Sequence, residues 1–84
     1  MGPEKAFGEV LRHLRRERGL SQEALALEAG AERNYISLLE LGKSSASMRM
    51  LFKLCTVLNL PPSRFLEQVE GRMKDRGSRK RPGR

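Results

Sequence analysis

The 84-residue chain has no tryptophan, one tyrosine and three phenylalanines, and only one cysteine and one histidine. With so few aromatics the core must be almost wholly aliphatic. A single cysteine, Cys55, excludes an intrachain disulfide. His13 and Cys55 together fall short of the usual ligand count of a metal site, so neither metal nor cofactor is expected. No apolar run approaches the roughly 20 residues that span a bilayer. The apolar segment of a secretory signal is also missing, and a lone thiol fits a reducing compartment, so the expected location is the cytoplasm. No carboxylate pair and no nucleophile with a nearby base suggests catalysis, and an enzyme is not expected. A chain of this length buries only about 60–70% of its unfolded surface, which allows one small domain of thin stability.

The net charge of +7 is unevenly distributed. Residues 72–84 carry +6 of it, and residues 1–71 only +1. The high pI therefore describes the C-terminal segment, and the body must act through local arrangements of charge. Residues 1–71 are expected to form one domain. Residues 72–84, with Met73 as their one apolar side chain, are expected to be a basic tail, disordered in isolation apart from one extra helical turn allowed at its start.

Apolar periodicity predicts five helices and no strand. Phe7, Val10, Leu11 and Leu14 form one stripe of helix one, which Gly19 ends. Ser21 is placed to cap helix two, which carries Leu25 and Ala26 inward and stops at Gly30. Helix three is expected from about Glu32 to Leu41, with Ile36 and Leu39 inward and Tyr35 at the edge. Ser47 then caps helix four, whose predicted inner face is Met48, Leu51, Leu54, Cys55 and Leu58. Helix five starts near Pro62 and is expected to fray near Gly71. Two helices as short as the second and third, joined through Gly30, must cross steeply. That is a helix-turn-helix, whose second helix is free to enter a DNA groove.

Residues from Phe7 to Leu66 carry a wider pattern. It comprises Arg15, the run Gly19-Leu20-Ser21-Gln22-Glu23, Leu25-Ala26, Gly30, Tyr35-Ile36-Ser37, Leu39-Glu40, Gly42-Lys43, Ser47-Met48, Leu51, Leu58 and Pro62-Ser63. In this order the residues resemble the Cro/repressor-type, or xenobiotic-response-element, family of DNA-binding proteins. The resemblance implies an all-α, five-helix, lambda-repressor-like fold with the helix-turn-helix at helices two and three. It also implies an ion pair between Arg15 and Glu40.

On this resemblance, Glu32, Arg33, Asn34, Ser37 and Leu38 face base edges in the major groove. Arg33 is suited to guanine and Asn34 to adenine. The alternatives are a phosphate contact or a solvated charge for Arg33, and a local backbone hydrogen bond for Asn34. Glu32 stands where a Ser or Thr commonly caps the recognition helix, and Leu38 where a polar reader is common. Phosphate contacts are expected from Ser21, Gln22, Tyr35, Lys43 and Ser44. Arg12 and Arg49 are weaker candidates.

Relatives usually bind two half-sites as dimers, and Leu60, Phe65, Leu66 and Val69 are the residues expected at a homodimer interface. Together these readings describe a transcriptional regulator of double-stranded DNA that acts at a promoter, with RNA polymerase as a further candidate partner. The alternative is an antitoxin-like protein that controls its own operon and holds a partner protein.

Overall fold

The computed structural model describes residues 1–77, with side chains through Lys74. Five helices make up the described residues: α1 (Pro3–Glu17), α2 (Gln22–Ala29), α3 (Arg33–Glu40), α4 (Met48–Leu58) and α5 (Pro62–Gly77). Local chemistry sets their limits. Pro3 opens α1 at a position where its missing N–H costs nothing. The hydroxyls of Ser21 and Ser47 accept from the amides of Ala24 and Met50, each at 3.0 Å, and so cap α2 and α4.

The first four helices end in the same way. Gly19, Gly30, Gly42 and Asn59 all have positive φ. The N–H of the next residue reaches back five positions in each case: Leu20 to Arg15, Ala31 to Ala26, Lys43 to Leu38 and Leu60 to Cys55. This satisfies carbonyls that the helix end would otherwise leave bare. The requirement is sharpest at Gly30, where φ is 71° and only three residues separate α2 from α3.

The core joins all five helices through Val10, Leu11, Leu25, Ile36, Leu39, Leu54 and Phe65, which have no or almost no accessible surface. Phe7 lies against Phe65 with ring centroids 4.8 Å apart. Helix α1 packs on both α3 and α5, and α2 packs on α3 and α4. Gly8 makes the α1–α3 contact possible. A Cβ at this position would lie 2.5 Å from the Glu40 carbonyl oxygen, so only hydrogen fits.

Helix α3 begins at Arg33 with Glu32 at its N-cap, the place expected for it, though the Glu32 side chain makes no capping hydrogen bond. Two expectations are corrected. Met48 does not join the inner face of α4: it is 75% exposed, and the half-buried Met50 packs on the core instead. Helix α5 does not fray near Gly71 but continues to Gly77. Its extension is held by tertiary contacts: Met73 packs against the core, and Arg72 donates to Glu9 of α1 at 3.1 Å. The expected boundary between residues 71 and 72 therefore falls inside a helix. The remainder of the expected tail, residues 78–84, lies outside the described residues.

Candidate nucleic-acid interface

Ile36 and Leu39 hold α3 in place and turn the rest of the helix outward; both are fully buried. The consecutive residues Glu32, Arg33 and Asn34 are then exposed at its N-terminus, with Ser37 and Leu38 half-buried one turn further on. Among the described residues the Asn34 side chain makes no hydrogen bond, so its amide is not spent on a local backbone contact.

Behind this face lies a buried ion pair. Arg15 Nε donates to Glu40 Oε2 at 2.5 Å, and Nη2 donates to Oε1 at 3.0 Å. The remaining terminal nitrogen, Nη1, donates to the Leu20 carbonyl at 2.8 Å. The hydrogen bonds that Arg15 donates to Glu40 raise its pKa above the ordinary value and outweigh burial, which alone would lower it. The pair joins α1 to the end of α3. Such pairs fix orientation more than they add stability, since each charge must first leave water.

Side chains carry the network to the surface. Gln22 Nε2 donates to Glu40 Oε1 at 3.0 Å, and Arg33 Nη1 donates to Gln22 Oε1 at 3.2 Å. The pattern of residue types in the sequence indicated Gln22 only as a phosphate contact. Its link to Glu40 joins residues 18 positions apart and depends on how α2 meets α3.

The other candidate phosphate contacts flank the exposed turn. Ser21 stands at the start of α2, where unpaired amides and the helix dipole favour an anion. Lys43 is exposed and Ser44 half-buried in the segment after α3. Tyr35 differs from expectation, because its hydroxyl donates to the Ser45 carbonyl at 3.1 Å and ties α3 to the following loop. To donate to a phosphate it would have to give up that bond. Arg12 and Arg49 are both exposed.

The expected homodimer residues separate into two groups. Phe65 is fully buried and Val69 is 6% exposed, so both close the core of a single chain. Leu60 also packs on that core, as the apolar residue that follows the left-handed Asn59. Only Leu66, at 45% exposure, points away. It is bordered by Ser63, Arg64, Glu67 and Glu70. Three of the four expected residues are thus already used by the fold of a single chain.

His13 lies on the surface, 3.3 Å from Glu17 one turn along α1. Cys55 is buried, and desolvation pushes its thiol up to about 11. No group of three or more His, Cys, Asp or Glu residues is arranged to hold a metal among the described residues. No helix among them is long and apolar enough to cross a membrane.

Residues 11–65 match the Helix-turn-helix family. The control protein C.MunI of a Mycoplasma species is 35% identical over 65 residues, which cover 76% of this chain and 88% of that protein. The restriction-modification controller protein C.AhdI from Aeromonas hydrophila superposes with a TM-score of 0.71 at 39% identity, covering 73% of this chain and 92% of the other. The clp gene regulator ClgR from Corynebacterium glutamicum superposes with a TM-score of 0.90 at 25% identity, covering 95% and 85%. The pattern, the fold and these relatives agree: the chain belongs to the helix-turn-helix family of DNA-binding transcriptional regulators, of the Cro/repressor type.

Proposed function

We propose that this regulator binds a palindromic operator as a homodimer, with the N-terminal turn of α3 in the major groove of each half-site. The observation that carries the reading is the exposed run Glu32-Arg33-Asn34 on a helix whose other face is anchored by Ile36 and Leu39. Candidate phosphate ligands lie on both sides of it, at Ser21 and Gln22 and at Lys43 and Ser44. Arg33 reads guanine through its O6 and N7 acceptors, and Asn34 reads adenine through N6 and N7. Glu32 accepts from cytosine or keeps the turn off unmatched phosphate. Ser37 and Leu38 border the contact, with Leu38 suited to a thymine methyl.

A single recognition helix covers only about four to six base pairs, so useful affinity requires two half-sites about one turn apart. The Leu66 face of α5 supports self-association, since Arg64, Glu67 and Glu70 around it offer charges of both signs for a two-fold contact. Likeness to restriction-modification controller proteins suggests an operator beside the genes of such a system.

Selection of bound duplexes from a random DNA library by the full chain tests this reading. The expected result is an inverted repeat with a guanine in each half-site that Arg33→Ala no longer selects. Enrichment of a single unrepeated site would reject the dimer. Retention of DNA without enrichment would reject sequence reading altogether.

A further inference from the structure

We infer that the outer face of α1 is a second phosphate-binding surface, which holds the DNA flanking the half-site rather than the half-site itself. The inference rests on the reading that the N-terminal turn of α3 enters the major groove. It extends the contact beyond the base pairs that this turn covers.

Arg12, His13 and Arg16 lie on the side of α1 turned away from the core, and all three are exposed. With Glu9 and Arg72 they line one open groove between α1 and α5. Three guanidinium groups thus meet a single carboxylate, in a body whose residues 1–71 carry a net charge of only +1. That carboxylate is taken, since Arg72 donates to Glu9 Oε1 at 3.1 Å. The next acid along α1, Glu17, lies 3.3 Å from His13 Nε2. Arg12 and Arg16 make no hydrogen bond or ion pair among the described residues. They stand one helical turn apart, where like charges repel. An anion between them relieves that repulsion, and a guanidinium meets phosphate oxygens through two parallel N–H donors.

Placement identifies the anion. The N–H of Gly19 donates to the Arg16 carbonyl at 2.9 Å, and Arg15 Nη1 holds the Leu20 carbonyl at 2.8 Å. One tight turn therefore connects Arg16 to Ser21, the candidate phosphate contact at the start of α2. From there the charges lead back along α1, Arg16 first and Arg12 about 6 Å further on, with Arg72 beside them. A small anion needs one such group, whereas a duplex offers phosphates in a row. The proposed dimer face at Leu66 follows the opposite edge, Lys43 and Ser44, along the chain. This assigns the Ser21 edge, and Arg16 with it, to the outer end of the half-site.

The test measures the salt dependence of affinity on two duplexes: the selected operator trimmed to its ends, and the same operator extended by about ten base pairs on each side. The proteins are the full chain, its Arg12→Gln/Arg16→Gln variant and, as a charge control on α4, Lys53→Gln, each checked for folding by thermal unfolding. Each neutralised phosphate adds about 0.9 to the slope of log affinity against log salt. On the extended duplex the double variant should have a slope shallower by about 1.8 for each bound protomer, the loss of two contacts. On the trimmed duplex its slope should equal that of the parent. Lys53→Gln should match the parent on both.

A parent slope that does not steepen with duplex length rejects the inference. So does a double variant that loses the same slope on both duplexes, which puts the two arginines at the half-site itself. A loss per charge in Lys53→Gln as large as in the double variant also rejects it, because net charge then accounts for the effect. If the parent does not prefer the trimmed operator to a scrambled duplex of the same length, it is the reading of α3 that has failed, and the inference falls with it.

Discussion

Gly8 and Gly71 both lie inside helices, and replacing each with alanine should have opposite effects. In an exposed helix interior this change is worth about 0.5–1 kcal/mol of added stability, because glycine has more backbone freedom to lose. At Gly71 a Cβ would meet nothing within 4 Å, so the helical gain should appear in full. At Gly8 the new carbon would lie 2.5 Å from the Glu40 carbonyl oxygen, against an ordinary contact of at least 3.4 Å. Helices α1 and α3 would have to separate by about 1 Å. The obstacle is backbone, which cannot swing aside like the end of a side chain. Overpacking of this kind costs about 1–3 kcal/mol. Opening the same seam also disturbs the Arg15–Glu40 pair. After subtracting the helical gain, a net loss of about 2 kcal/mol is expected.

Thermal unfolding followed by far-UV circular dichroism measures both effects. For a domain of this size 1 kcal/mol corresponds to about 4–8 °C in Tm. Gly8→Ala should melt about 10 °C lower and Gly71→Ala about 4 °C higher. A Gly8→Ala protein that melts at or above the parent would refute the close approach of α1 to α3. The steric basis for the position of the recognition helix would fall with it.

Three further outcomes follow from the same geometry. Arg15→Met should cost about 3–5 kcal/mol in chemical denaturation by stranding the Glu40 carboxylate, while the Arg15→Met/Glu40→Leu pair should return to within about 1 kcal/mol of the parent. Equal losses in both proteins would show that packing, not the stranded charge, sets the cost. On α5, Leu66→Glu should leave unfolding of the single chain within about 0.5 kcal/mol but shift sedimentation towards monomer, whereas Phe65→Ala should cost about 3–5 kcal/mol. No change in sedimentation for Leu66→Glu would remove that face from the dimer. The Cys55 thiol, raised by burial from 9.0 to about 11, ionises more readily in the unfolded chain. Its contribution is complete below pH 9 and is lost as pH rises towards 11, so the parent should lose stability relative to Cys55→Ala across that window. Parallel pH profiles for the two proteins would count against the burial of the thiol.

Local residue order already determined the five helices, their caps and the outward face of α3. Caps and turns are local chemistry: a serine hydroxyl meets an amide three residues on, and a left-handed turn selects Gly or Asn. Apolar periodicity likewise placed Ile36 and Leu39 inside and left Arg33 and Asn34 outside. It failed where an apolar stripe has two possible neighbours. Met48 continues such a stripe but reaches the surface, while Phe65 and Val69 satisfy the core of their own chain. Periodicity reports that a face is apolar and does not say what covers it.

Only the tertiary structure decided that α5 runs to Gly77, because Glu9 and the core that receive Arg72 and Met73 belong to other parts of the chain. It also decided why Gly8 must be glycine, since the obstruction is the backbone of a helix more than 30 residues away. The link from Arg15 through Glu40 and Gln22 to Arg33 exists for the same reason. Each of its members is an ordinary polar residue in sequence, and the packing of α1, α2 and α3 brings them within hydrogen-bonding distance.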